Sequence, residues 1–196
     1  MSAFRTAARL SAAVALVAAC ADGTTPTDPT LDAVRALADG QSPTVQRSLA
    51  AVRAASARFH RVADAQAAGY VAGSPCVANP AAGGMGVHYV HPQLIADPAL
   101  DPEKPEVLVY EPQAGGQLRL VAVEYLGAKA MYAQRPSLFG APFEDGPPVP
   151  GANGQATPTY ALHAWVWQRN PAGVFAAFNP AVTCAHAAAP TAHAHH

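Results

Sequence analysis

Cysteine is almost missing from this chain: three in 196 residues, at Cys20, Cys76 and Cys184. That scarcity excludes a disulfide-dense miniature scaffold, and the spacing excludes a zinc finger. Lysine is scarcer still, confined to Lys104 and Lys129, and no basic run occurs. Nucleic-acid binding needs many phosphate-neutralising cations, so that class is excluded. There is no G-x-S-x-G elbow, no phosphate loop and no dinucleotide fingerprint, because GGMG (Gly83–Gly86) leads into strand-like sequence. The cupin pattern of histidines two apart is also missing: His88 and His91 are separated by Tyr89 and Val90. Internal repeats are absent.

What is present begins with an address. Arg5 and Arg9 precede a small apolar stretch, Leu10–Ala19, and Val17-Ala18-Ala19-Cys20 has the pattern of a lipobox. A run of about ten apolar residues is too short to span a bilayer and reads as a removable export signal. On the lipobox reading Cys20 is acylated and holds the exported protein to a membrane in the cell envelope, on its periplasmic or extracellular face. The other reading is an ordinary signal cleaved near Ala21, with Cys20 incidental. Removing Arg5 and Arg9 leaves ten basic against thirteen acidic residues. In an oxidising compartment Cys76 and Cys184 pair most simply as one disulfide; a thiolate metal or redox pair is the alternative.

Composition divides the chain into residues 1–20, the signal; 21–40, a flexible Thr/Pro/Asp-rich tether with one short helix at Leu31–Leu37; 41–185, a single globular domain; and 186–196, a His-rich disordered tail. Within the domain, Ser42 and Pro43 suit a helix start. Val45, Leu49, Val52, Ala55, Phe59 and Val62 then recur at helical spacing until Gly69. This predicts one amphipathic helix of about seven turns. Strands are expected at Met85–Val90, Glu106–Glu111, Gln117–Tyr125 and Tyr160–Gln168. A two-residue turn at Gly115-Gly116 pairs Tyr110 with Val121 and Leu108 with Val123. Residues 133–158 read as a long connection without structure of its own, pinned by Phe139 and Phe143. The fold class is α+β: a long N-terminal amphipathic helix packed on a curled, mainly antiparallel sheet of four or more strands.

Chemistry has to be assembled from separate strands. His88 points to one sheet face, and Val87 and Tyr89 point to the other. Glu124 is a carboxylate in an otherwise apolar strand, which is expensive unless it is paired. His163 shares a strand with Trp165 and Trp167, all three on one face by alternation. His60 borders the helix stripe. His88, His163 and Glu124, with His60 as fourth ligand or as an orienter of the others, make a His/Glu set suited to zinc, copper or another transition metal. Each also has a plain structural role, as a hydrogen-bonded core histidine or the carboxylate that accepts from one. His91, beside Pro92, reads as a strand-end surface residue. Tail histidines His186, His193, His195 and His196 can gather metal weakly, without preorganisation.

Several stretches together resemble a family of small exported bacterial proteins, often lipoproteins, of unknown function. They are GGMGVHYVHP (Gly83–Pro92), LDPEKPEVLVYEP (Leu100–Pro112), LRLVAVEY (Leu118–Tyr125) and LHAWVWQRNPAGVFAAFNP (Leu162–Pro180), with RFHRVADAQAAGYV (Arg58–Val71) before them. The resemblance covers roughly Arg58 to Cys184. It implies export, one domain and the residue set His60, His88, Glu124 and His163, and it supplies no function.

Three functions fit these residues. One is a membrane-tethered exported lipoprotein binding a transition metal through the His/Glu site. The second is a metal-dependent envelope enzyme, with Glu124 as general base beside a metal-bound water and Tyr89 or Tyr110 lining an open cavity. The third is a non-catalytic envelope interaction module with structural histidines.

Overall fold

The computed structural model describes residues 40–150 and 154–187. The expected signal with Cys20, the expected tether up to Asp39 with the helix expected at Leu31–Leu37, and the tail from residue 188 onward lie outside the described residues.

The helix starts as its sequence demands. Ser42 accepts a hydrogen bond from the Val45 amide and Pro43 occupies the first turn of α1, Pro43–Ser56. It does not run seven turns. The path tightens to a 3-10 turn at Ala57–His60, Arg61 is extended, and a separate short helix, α2, spans Val62–Ala67. No long N-terminal helix exists among the described residues, and the reason is tertiary. The Ser56 hydroxyl donates back to Val52 O at 2.7 Å, a bond that loosens a helix, and also accepts from Trp167 Nε1. The Phe59 carbonyl is taken by the Tyr110 hydroxyl at 2.7 Å, so a sheet side chain replaces an intrahelical donor. The apolar stripe nonetheless serves its purpose: Leu49, Val52 and Phe59 are buried against Tyr89, Leu108, Tyr110 and Tyr125, with Val45 and Val62 partly buried beside them.

The sheet is antiparallel throughout and has seven strands. Its elements are β1 (Val71–Ala72), β2 (Val77–Asn79), β3 (Gly83–Val90), β4 (Val107–Pro112), β5 (Leu118–Ala128), β8 (Glu144–Pro150) and β9 (Ala156–Ala164). The order is β1-β3-β4-β5-β9-β8, with β2 also on β3. A two-stranded ribbon, β6 (Ser137–Leu138) and β7 (Ala141–Pro142), precedes β8. The region expected to be an irregular connection therefore supplies an edge strand. Phe143, fully buried, anchors it.

The β4–β5 hairpin shows how register recovers from a wrong turn. Gln113 bonds Gln117 across a three-residue loop, Ala114–Gly116, so Tyr110 faces Leu120 rather than Val121. A bulge between Val109 and Tyr110 restores the phase, and Leu108 meets Val123 as expected. β9 ends earlier than its sequence suggests. Val166 N–H bonds back to Ala164 O at 2.9 Å, and the turn sends Trp165 and Trp167 to different clusters.

Cys76 and Cys184 are disulfide-bonded, joining residues 108 apart. The bond fastens the C-terminal segment where it crosses β3. A Cβ on Gly83 would overlap the Asn179 carbonyl, so glycine is what admits that segment. A structural disulfide points to oxidising, non-cytoplasmic surroundings. Among the described residues no helix is long and apolar enough to cross a membrane.

Candidate metal centre

One sheet face packs on the helices. The other carries Val107, Val109, Ala122, Leu126, Ala161 and Trp165, and on it three polar side chains meet. Register brings them together. Glu124 on β5 is directly opposite His163 on β9, while His88 on β3 faces Val109 of β4, which in turn faces Ala122. One donor atom from each of His88, Glu124 and His163 lies within 4.8 Å of the other two, so the cluster could hold a metal ion.

The contacts are longer than hydrogen bonds and a few tenths of an ångström wider than the spacing of donors on one ion. His88 Nε2 is 3.7 Å from Glu124 Oε2, and His163 Nδ1 is 3.9 Å from Glu124 Oε1. Hydrogen bonds of this kind close to about 2.7–3.2 Å. Donors on one tetrahedral zinc, each about 2.0–2.1 Å from the ion, stand about 3.3 Å apart. The three residues are 4–9% exposed, yet His163 Nε2 has no hydrogen-bond partner. The ring nitrogen nearest Glu124 is Nδ1, so the cluster meets His163 by one nitrogen while the other stays without a protein partner.

His88 is aimed from behind by a residue that sequence reading missed. The Ser74 hydroxyl donates to Pro75 O at 2.8 Å, leaving its oxygen to accept from His88 Nδ1 at 2.9 Å. That arrangement puts the proton on Nδ1 and frees the Nε2 lone pair toward Glu124. The only signal for Ser74 was its place two residues before the stapled Cys76.

Burial keeps the cluster uncharged. It pushes Glu124 up to about 8, aided by the charge of Glu106, and pushes His88 down to about 4. His163 falls to about 3, through burial first and the neighbouring His88 second. At neutral pH the site is a carboxylic acid with two neutral imidazoles, a donor set whose unmet polarity one cation would satisfy.

Glu106 is a second buried carboxyl, accepting from Leu126 N at 3.2 Å, and burial raises it to about 8. Folding makes both carboxyls bind protons more tightly. Their stabilising contribution is full below the unfolded value, about 4.5, and is lost as pH rises through about 8. The imidazoles act oppositely, costing stability as pH falls below 6.5. The metal-free chain should therefore melt highest near pH 5–6, by order of magnitude, and lose stability toward pH 9. Glu106→Gln should flatten the alkaline decline, as measured by thermal melts across that range.

His60 is placed elsewhere. It is exposed on the 3-10 turn, edge-on to Trp167 at 4.2 Å, and is not one of the clustered donors. Tyr89 and Tyr110 pack on the helix side of the sheet. His91 caps β3, its Nε2 against Ala68 O. His186 is exposed. Trp165 stacks on His163, with centroids 6.0 Å apart and planes 16° apart. A cavity of about 50 Å³ adjoins the cluster, bounded by Glu124, His163, Met85, Pro147 and Phe175.

Comparison with known proteins adds nothing to this geometry: no family model, no curated protein and no solved structure matches the chain.

Proposed function

We propose that this chain is an exported lipoprotein, tethered to a membrane through Cys20, whose sheet binds one divalent transition-metal ion through His88, Glu124 and His163. The observation that carries the metal reading is the convergence of three buried donors within 4.8 Å of one another. Two imidazoles and a carboxylate form a borderline donor set suited to zinc, with copper next, and leave a fourth position free. The lipobox and the disulfide support the address.

The cavity beside Glu124 and His163 favours a second reading, a metal-dependent envelope enzyme. Its volume, about 50 Å³, admits a metal ligand no larger than a few water-sized atoms. The tyrosines that such an enzyme was expected to place there face the other side of the sheet.

Zinc titration by calorimetry tests the metal reading. In buffers of differing ionisation heat, zinc should displace about one proton per ion at pH 7, from Glu124, and bind more tightly as pH rises toward 8. Glu124→Gln should retain only the weak, unsaturable uptake of the tail. Ser74→Ala should weaken binding by about tenfold to a hundredfold, because His88 loses its orienting partner. Equal zinc binding by the wild type and Glu124→Gln would refute the assignment. Cys20→Ser should move the chain out of the membrane fraction.

A further inference from the structure

Away from the metal centre, α1 and the segment after β9 enclose a cleft of about 740 Å³. That volume falls in the range of small-molecule sites, about 300–1,000 Å³. Its bed is apolar: Leu49, Trp165, Val166, Trp167 and Val174. Arg53 and Arg169 are the only charged residues lining it, and no carboxylate lines it among the described residues. In a chain with net charge −1 this is a local reversal of sign. Neither arginine has an ion-pair partner among the described residues, whereas five other cations in the fold do.

Arg53 is also held in place. Its Nε donates to Val166 O at 2.6 Å, and its guanidinium carbon lies 5.3 Å from the Trp167 ring centre. A guanidinium fixed by one backbone bond and one aromatic face keeps its remaining N–H groups pointing in a set direction, which lowers the entropy lost when it meets an anion. Gln41, Gln46 and Asn170 add neutral polar groups to the lining.

We infer that this cleft binds a small organic carboxylate with an apolar body, the carboxylate held by Arg53 and Arg169 and the body resting on Trp165 and Trp167. Guanidinium groups match carboxylates two-pronged, through charge-assisted hydrogen bonds. None of the three metal donors lines the cleft, although Trp165 also stacks on His163.

Both tryptophans of the chain line this cleft, so tryptophan fluorescence reads its occupancy directly. The probe is 4-phenylbutyrate, titrated into the full chain without added metal, beside its uncharged amide. The acid should give a saturable change and bind about tenfold or more tightly than the amide, the difference expected of charge-assisted hydrogen bonds. Arg169→Met and Arg53→Met should each weaken the acid several-fold, part of the way toward the affinity of the amide, and leave amide binding unchanged. Arg169 is exposed and makes no bond to α1, so its replacement tests the inference even if Arg53→Met disturbs the helix. No saturable change with either probe, equal affinity for acid and amide, or an Arg169→Met chain that binds the acid like the wild type would each overturn it.

Discussion

Zinc at a thousandfold excess over its dissociation constant should raise the melting temperature of the full chain by about 8–16 °C. Binding at that excess adds about 4.1 kcal/mol. A chain of this size gains about 2–4 °C per kcal/mol. Glu124→Gln should cancel the rise while raising, not lowering, the metal-free melt at pH 7. At that pH Glu124 is pushed up to about 8 by burial and is uncharged, so glutamine replaces it in shape and charge and spares the fold the cost of protonating a carboxyl that is ionised in the unfolded chain. The pairing of the two results matters. A core residue whose loss merely loosens the fold would lower the metal-free melt too, whereas replacing this ligand removes the response to metal without that loss. From about pH 5 upward the variant should be the more stable metal-free protein, by a margin that grows until about pH 8, because it has no carboxyl to protonate on folding or to bury ionised.

Breaking Cys76–Cys184 should cost about 2–5 kcal/mol, the usual loss when a native disulfide is removed from a secreted domain. The closed loop is long, 108 residues by sequence separation, which places this bond toward the upper end. The Cys76→Ser, Cys184→Ser double variant should accordingly melt about 4–20 °C lower. The same variant should also respond less to zinc. Ser74, which fixes the His88 tautomer, stands two residues from Cys76, and the C-terminal segment that Cys184 anchors bonds to Gly84 on the His88 strand. A lower melt with a full zinc shift would separate the staple from the site and remove that link.

The two effects explain what could be read from sequence alone. Each core strand announced itself because its apolar residues have nowhere else to go, and the hairpin glycines at 115 and 116 marked a turn. The turn type was misjudged by one residue, and the bulge beside Tyr110 hid the error from the strand beyond. The helix was harder. Its stripe continues unbroken through Phe59 and Val62, so periodicity gives no hint of a break; what breaks it is the Tyr110 hydroxyl, 51 residues away. Periodicity reports which face is buried, not whether a distant donor will claim a backbone carbonyl.

The site was legible in the same partial way. A carboxylate in an apolar strand is conspicuous, and Glu124 drew attention for that reason. Its partnership with His163 depends on β5–β9 register, set by a connection of some thirty residues that sequence reading left shapeless and the structure fills with β6, β7 and β8. His60 attracted notice through its place beside Phe59, but the break after Ser56 leaves it exposed against Trp167. Ser74 carried no periodic signal, since its role comes from β3 folding back beside it.

Metal content, measured by mass spectrometry on untagged full chain purified without chelators, tests the central claim most directly. The account predicts about one zinc or copper atom per chain that survives dialysis and is lost in His163→Ala, whose tail histidines are intact. The absence of bound metal after incubation with zinc and copper, or the same content in His163→Ala, would contradict it.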